Sequence, residues 1–289
     1  MRRVVVYFLL VILFTLFNFY YRPVERNPLV TEEYQHSSAY INDLYMSDEY
    51  FKNHLIPEKD QYVYDAMVED IKAGKTESVI ECKEEKCDDY FYAIYYSLYL
   101  DHPEFIQFQG MKAHIADHQI QPTYFHLNNL QTYLGTRRIQ REIDIIKKET
   151  KNMSEKEKIL YVYDYVAGHD YDHLFMYTTG NQSAYSFFTK GSSVCAGFAK
   201  SSQIIFQNIG VKSYSVLGDE HMWNYVEYEG KYYVFDATVG ASFVNKKNEH
   251  FYEGLGRTTT GEVTGMYKEL YPSVEEKPLQ EIFGLSKKE

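Results

Sequence analysis

The chain has 289 residues, 45% of them hydrophobic, so it can bury a sizeable core in one large domain or two smaller ones. Its formal net charge of −11 at pH 7 argues against a nucleic-acid partner, because phosphate binding needs clustered Lys and Arg. The same charge argues against electrostatic attraction of the soluble part to anionic lipid.

The N-terminus has the pattern of a membrane span. Arg2 and Arg3 precede an almost unbroken apolar run over residues 4–21, and about 20 apolar residues suffice for a spanning helix. No small-residue cleavage pattern follows, so an uncleaved anchor is favoured over a cleaved signal peptide, which stays the alternative. We predict a cytoplasmic tail and transmembrane anchor over residues 1–22 in a single-pass protein of the cell membrane. Arg22 and Arg26 on the other side weaken the charge asymmetry that sets this orientation.

Residues 23–150 are predicted to form a tether and a mainly helical leader region. The first part, up to about residue 47, is polar and is interpreted as the tether. Beyond it, apolar spacing predicts helices over 58–72, 88–100 and 130–148, and a weak alternation predicts strand over 111–125.

Three cysteines are present, and two of them are close in sequence. Cys82 and Cys87 are consistent with a small-loop disulfide outside the cell, and equally with two unrelated helix-end residues. A zinc site is disfavoured, because no histidine or second cysteine pair stands nearby to complete four ligands. Cys195 has no obvious partner and is available for chemistry.

A capping box predicts the next helix. Ser154 and Glu157 are spaced so that each side chain can accept a hydrogen bond from the other's backbone N–H, which predicts a helix over 154–166. The His-Asp-Tyr-Asp-His segment at 169–173 resembles a metal-binding cluster. However, adjacent side chains alternate in direction, so few of them could face one ion. We interpret the segment as a polar exit from the helix and predict no metal there.

Cys195 is the candidate nucleophile. Apolar spacing predicts a helix over 194–208 that ends at Gly210, so Cys195 lies in its first turn, after Ser192 and Ser193, which can cap it. Helix N-terminal N–H groups favour an anion and thereby a thiolate. A buried, inert cysteine is the alternative. The Cys195 backbone N–H is a candidate oxyanion donor, while the second donor stays open.

The residues after this helix predict an antiparallel sheet. Aromatic and β-branched residues predict strands over 211–217, 222–228 and 231–236. The last two strands are separated by Glu229-Gly230, which has the composition of a hairpin turn.

This hairpin would bring a histidine and an aspartate together. With the turn centred on Glu229-Gly230, Trp223 faces Asp236, and His221 lies on the same face two residues away. Diagonal neighbours of this kind are about 7–8 Å apart, which is within side-chain reach. An aspartate in this position orients an imidazole and stabilises its protonated form.

Three motifs in this order resemble the transglutaminase-like cysteine enzymes. The run 193–200 (SVCAGFAK) resembles their nucleophile helix, 221–226 (HMWNYV) their His-x-Trp-Asn-x-Val strand, and 232–238 (YYVFDAT) the strand that carries the acidic residue. The resemblance extends over residues 154–243, and 99–105 (YLDHPEF) is similar to the helical leader of bacterial exported members. Val239 and Phe198 depart from residues that the family often has, and neither departure removes a catalytic group.

The resemblance implies an α+β fold with a papain-like transglutaminase core, in which the nucleophile helix packs on an antiparallel sheet. It places this catalytic domain at residues 151–289, although 245–289 match poorly. By the matching of motifs, Cys195 is the nucleophile, His221 the general base and Asp236 the orienting acid.

Two further residues and a function are implied in the same way. Trp223 and Asn224 would hold the strand and shield the pair from water. The enzyme would attack an amide, form an acyl-thioester and release it to water, as a protease or amidase, or to an amine, as a transglutaminase. Cell-surface or cell-wall peptides are candidate substrates, and no cofactor is predicted. The alternative is a catalytically silent binding or scaffold domain at the cell surface.

Overall fold

The structure is a computed structural model that describes residues 44–83, 87–116, 118–174, 180–218, 220–241, 251–258 and 268–285. The predicted anchor at 1–22 and most of the tether lie outside these ranges. No helix within these ranges is both apolar enough and long enough to cross a membrane.

The leader contains the three predicted helices, one short helix that was not predicted, and an unpredicted hairpin. Its helices are α1 (Tyr50–Leu55), α2 (Gln61–Lys72), α3 (Phe91–Asp101) and α4 (Asn129–Thr150), and short 3₁₀ turns at Glu58–Asp60 and Cys87–Tyr90 precede α2 and α3. Its strands are β1 (Ile80–Glu81), β2 (Phe108–Ala116) and β3 (Gln119–His126), in the antiparallel order β1-β3-β2. The single strand expected at 111–125 is therefore two strands. The chain reverses at His118, which has a positive φ of 60°, and no Asn-Gly or Asp-Gly pair announces the turn.

The second half of the chain supplies α5 (Glu155–Ala167), α6 (Ala184–Lys190), α7 (Cys195–Asn208), α8 (Ala237–Ala241) and α9 (Leu279–Ile282). The capping box of α5 is confirmed, with reciprocal Ser154 and Glu157 hydrogen bonds. Two short strands, β4 (Asp170–Tyr171) and β5 (Ser192–Ser193), pair in parallel. The main sheet has the order β6-β7-β8 and is antiparallel throughout, with β6 (Ser213–Gly218), β7 (His221–Tyr228) and β8 (Lys231–Phe235).

The predicted register of the last hairpin is confirmed. Tyr228 pairs with Lys231 and Asn224 with Phe235, which is the pairing that a two-residue turn at Glu229-Gly230 requires. Both turn residues have positive φ, 50° and 76°, as a type I′ turn demands. This register decides which side chains of β7 and β8 meet.

One buried cluster joins the two predicted regions. Ile139, Ile143 and Ile146 of α4 lie in the same core as Val162 of α5 and Phe206 of α7. A second cluster, formed by α2, α3 and the leader sheet, is built around Val63, Met67 and Ile94. The leader helix α4 is thus packed directly against the part of the chain that carries the candidate site.

The C-terminal segments cover the main sheet and its underlying core. A 3₁₀ turn at Phe251–Leu255 is buried in the same core as α5 and α8. Further on, Val274 bridges Tyr232 in parallel, and the Glu275 N–H donates to the Tyr232 carbonyl at 2.9 Å. The outer edge of β8 is therefore covered at Tyr232.

Candidate active site

Cys195 is the first residue of α7, as the sequence predicts, but the serines before it do not cap the helix. The N-cap residue is Val194, whose apolar side chain makes no capping hydrogen bond. The Ser193 hydroxyl instead lies 2.6 Å from the Ser186 hydroxyl and donates to the Asn181 carbonyl at 3.0 Å. This turn packs so tightly that a Cβ on Gly197 would stand 1.9 Å from the Ser193 Oγ, which explains the glycine two residues after the cysteine.

His221 and Asp236 form a buried pair at the end of the main sheet. The His221 Nε2 lies 2.7 Å from the Asp236 Oδ2, and their side chains are 6% and 1% exposed. The contact follows from the predicted register, because His221 begins β7 and Asp236 directly follows β8. The sequence prediction that these two side chains meet is confirmed.

The remaining bonding capacity of Asp236 is also used. Its Oδ1 accepts a hydrogen bond from the Thr238 N–H at 3.1 Å and another from the Thr238 hydroxyl. Its backbone N–H donates to the Gly254 carbonyl at 2.7 Å. A carboxylate held by several donors stays an acceptor, so it can orient the imidazole.

The Cys195 thiol completes the arrangement. Burial raises its pKa, but hydrogen bonds with His221 and with the Met222 N–H, together with the charge of His221, leave the pKa below the ordinary value of 9.0. Burial lowers the pKa of His221, and its bonds to Asp236 and Cys195 more than reverse this, so the pKa rises to about 9. These opposite shifts favour a thiolate–imidazolium pair, the reactive form of a catalytic cysteine.

Trp223 and Asn224 lie beside this trio on β7. The indole of Trp223 stacks on the His221 ring at 5.7 Å with an interplanar angle of 18°, and it is only 2% exposed. Among the described residues its Nε1 has no hydrogen-bond partner. The Asn224 amide donates to the Ala199 carbonyl at 3.0 Å, which ties β7 to α7. Both positions therefore support the geometry of the trio through packing and a cross-element bond.

The polar segment 169–173 is divided among different contacts. The His169 Nδ1 lies 2.9 Å from the Tyr165 carbonyl, and Asp172 accepts a hydrogen bond from the Asn181 amide at 3.2 Å. Tyr171 turns towards Cys195, with which it shares a hydrogen bond. Across the ranges that the structure describes, no group of three or more His, Cys, Asp or Glu side chains could hold a metal ion.

Cys82 and Cys195 differ in oxidation state. Cys82 is disulfide-bonded, whereas Cys195 is a free, partly exposed thiol. The side chain of Cys87 lies outside the described part of the structure. The nucleophile candidate is thus the cysteine that the sequence leaves without an obvious partner.

Several contributors to the site are not identified by the sequence pattern. Thr238 and Tyr171 stand inside the segments whose sequence resembles the transglutaminase-like enzymes, yet nothing in those motifs assigns their contacts with Asp236 and Cys195. The role of Gly254 depends on a close approach, because a Cβ there would lie 2.0 Å from the Asp236 carbonyl oxygen. The Tyr163 hydroxyl holds the segment that contains Gly254 in place by donating a hydrogen bond to the Phe251 carbonyl at 2.6 Å.

The described residues thus define an α+β protein with antiparallel three-stranded sheets, in which a helix N-terminus brings a thiol to a buried histidine–aspartate pair. No protein-family model and no curated protein matches the chain. A solved structure described as a crystal structure of a TGase is 16% identical, with an alignment over 62% of this chain and 55% of that chain at a TM-score of 0.35. At this level the likeness to a transglutaminase fold is weak, and it identifies no family.

Proposed function

We propose that this chain is a membrane-anchored, extracytoplasmic cysteine enzyme of the transglutaminase-like class that acts on amide bonds. Cys195 is the nucleophile, His221 the general acid and base, and Asp236 the residue that orients His221. Three sequence motifs that resemble this class support the proposal. The apolar run at 4–21 supports the anchor and the exported location.

One observation carries the catalytic part of the proposal. A buried thiol normally has a raised pKa, because burial penalises the thiolate. Here the pKa of Cys195 is lowered in spite of burial, through contacts with a histidine that Asp236 holds at 2.7 Å. Structural cysteines have no need of such an arrangement, whereas a nucleophile does.

The chemistry follows from the protonation states. The Cys195 thiolate attacks the amide carbonyl carbon, and the carbonyl electron pair moves onto oxygen beside the Cys195 backbone N–H. Collapse of this intermediate breaks the C–N bond, and the His221 imidazolium protonates the departing amine. Neutral His221 then takes a proton from water or from a second amine, which attacks the thioester and releases Cys195.

The nature of the acceptor decides between hydrolysis and transfer. Water as acceptor makes the protein a protease or amidase, and an amine makes it a transglutaminase, while the trio of residues is the same for both. The exported location favours cell-surface proteins or cell-wall peptides as sources of the amide. The alternative is a binding or scaffold protein that kept the fold without catalysis, and the test below distinguishes it from an enzyme.

The test is alkylation of Cys195 by iodoacetamide in the detergent-solubilised full chain, followed by peptide mass mapping from pH 5 to 10. A thiol with a lowered pKa should alkylate at pH 6 at least about tenfold faster than glutathione. The rate should reach half of its maximum below pH 9, because the thiolate forms below the ordinary thiol pKa of 9.0 and the imidazolium persists up to a pKa of about 9.

The His221→Ala variant should lose this low-pH reactivity, since the thiol then lacks its principal stabilising contact. The matched control is His54→Ala, which removes an exposed histidine of α1. Equal rates for Cys195 and glutathione at pH 6 would show an ordinary thiol and would favour the binding or scaffold function.

A second measurement separates the two enzyme classes. The full chain is incubated with a fluorescent primary amine and a glutamine-rich protein, with Cys195→Ala as the control. Amine incorporation that the control lacks assigns transfer, and fragments without incorporation assign proteolysis.

A further inference from the structure

Tyr171 lies beside the candidate nucleophile because of a local strand pairing. Tyr171 of β4 pairs in parallel with Ser193 of β5, and the Asp172 N–H donates to the Ser193 carbonyl at 2.9 Å. Cys195 begins α7 two residues after Ser193. The backbone that carries Tyr171 is therefore fixed against the backbone that delivers Cys195 into the helix.

The phenol ring is held from its other side as well. Its centroid lies 6.0 Å from that of Phe198, one turn into α7, and 4.8 Å from that of His173. The half-buried ring packs against the core that contains α5 and α7. Its hydroxyl is thus directed towards the start of α7 by a ring whose position is determined by packing.

The hydroxyl contacts two atoms of Cys195 at once. The Cys195 backbone N–H donates to the Tyr171 oxygen, and the hydroxyl hydrogen-bonds with the Cys195 sulfur. Burial raises the pKa of Tyr171 to about 12, so the phenol keeps its proton and remains a donor at neutral pH. The Met222 N–H also reaches the sulfur, whereas Tyr171 interacts with both the sulfur and the Cys195 N–H.

The position between these two atoms has a chemical meaning. When the thiolate adds to a carbonyl, the new oxyanion lies within reach of both the attacking sulfur and the N–H of the nucleophile residue. A hydroxyl that already lies between the sulfur and this N–H can stop donating to the sulfur and donate to the oxyanion instead. One backbone N–H alone is an incomplete oxyanion site, since such sites normally combine two donors.

We propose that the Tyr171 hydroxyl is the second oxyanion donor of this site, acting with the Cys195 backbone N–H. This inference rests on the proposed function, because it names a catalytic residue for the same reaction. Tyr171 holds the thiolate in the free protein and the oxyanion after attack. It takes no proton away in either state, so the proton balance remains that of Cys195 and His221.

The test compares two reactions of the same thiolate in Tyr171→Phe. The first is acylation by p-nitrophenyl acetate, followed as a burst of p-nitrophenolate; it forms a C–S bond, passes through an oxyanion and expels the phenolate. The second is alkylation by iodoacetamide at pH 9.5, a displacement of iodide that has no oxyanion. Losing one oxyanion donor should lower the acylation rate about 10²–10³-fold. The alkylation rate should stay within a few-fold of wild type, because the thiolate is formed at this pH in both proteins.

Two matched proteins make the comparison decisive. Tyr161→Phe removes a different tyrosine hydroxyl, bonded to Glu149 on the exposed side of α5, and should change neither rate. 3-Fluorotyrosine placed at 171 keeps the ring size and makes the hydroxyl a stronger donor, so it should raise the ratio of acylation to alkylation. An unchanged ratio in the fluorinated protein overturns the inference even where the phenylalanine variant fails to fold.

Other results also overturn it. Faster acylation in Tyr171→Phe would mean that the hydroxyl blocks the oxyanion position, and an equal loss in both reactions would mean that it only holds the thiolate. A failure of the proposed function looks different, because wild type would then produce no burst beyond that of Cys195→Ala.

Discussion

The described residues contain two buried histidine–carboxylate pairs with the same contact distance and different surroundings. In the main sheet, the His221 Nε2 lies 2.7 Å from Asp236; in the leader, the His102 Nδ1 lies 2.7 Å from Glu104. Each ring also stacks on an aromatic side chain, His221 on Trp223 at 5.7 Å and His102 on Phe105 at 4.3 Å. A buried ionisable pair is therefore not by itself a sign of catalysis in this molecule.

The pairs differ in what their remaining polar atoms meet. Asp236 has its second oxygen bonded by Thr238, and His221 has a thiol as its further partner. Within the described ranges, the His102 Nε2 and the Glu104 Oε2 have no hydrogen-bond partner. The sheet pair is thus a hydrogen-bonded network with the candidate nucleophile at its end, whereas the leader pair ends in atoms that have no partner among the described residues.

The charge of the leader pair also acts on Lys200, a buried lysine of α7. The Lys200 Nζ lies 3.5 Å from the centroid of the Tyr99 ring. Burial lowers the pKa of Lys200 to about 7, and the charge of Glu104 partly opposes this. Lys200 stands on α7, so the charge of Glu104 acts on the helix that begins with Cys195. The same two side-chain types therefore lie beside a free thiol in one place and within range of a buried lysine in another.

The largest expected effect separates the two pairs by activity. Asp236→Asn should lower the p-nitrophenyl acetate burst rate by about 10⁴, because the orienting carboxylate of such a trio has an effect of this size. Glu104→Gln, the same change in the leader pair, should leave the rate nearly unchanged. Burst rates of both variants, with folding checked by circular dichroism, provide the measurement. Comparable losses in the two variants would contradict the distinction.

The next effect separates the pairs by stability. Glu104→Leu should lower the free energy of unfolding by about 3 kcal/mol, since removing one member of a buried charged group leaves its partner uncompensated. Urea denaturation of Glu104→Leu, Lys200→Met and the double variant forms a double-mutant cycle. The double variant should be more stable than the sum of the single losses predicts. Additive losses would show that Glu104 and Lys200 do not interact.

The smallest effect concerns the hydrogen bond from the Thr238 hydroxyl to Asp236, the kind of additional bond that the leader pair lacks among the described residues. Thr238→Val removes the hydroxyl that donates to Asp236 and keeps the side-chain shape, so we expect the burst rate to fall about tenfold, with one donor lost from the carboxylate. Thr238→Ser keeps the hydroxyl and should retain most of the rate. A Thr238→Val protein as active as wild type would mean that the N–H of residue 238 is sufficient to hold Asp236.

Much of the site could be predicted because its parts are encoded locally. The apolar spacing of α7 places Cys195 in the first turn, and Glu229-Gly230 fixes the register of β7 and β8 through two residues that adopt positive φ. That register determines that His221 and Asp236 meet. The leader hairpin has no such turn signal at His118, so its two strands appear as one weak alternation.

The amino-acid sequence by itself determined which side chains are present, the periods of the helices and strands, and the pairing of the last hairpin. These depend on interactions between residues close in the chain. Only the tertiary structure decided that Tyr171 reaches the thiol, that Gly254 accepts the Asp236 N–H, and that Lys200 of α7 lies over the Tyr99 ring of the leader. Such contacts join distant segments, and packing selects them among many alternatives that local patterns do not distinguish.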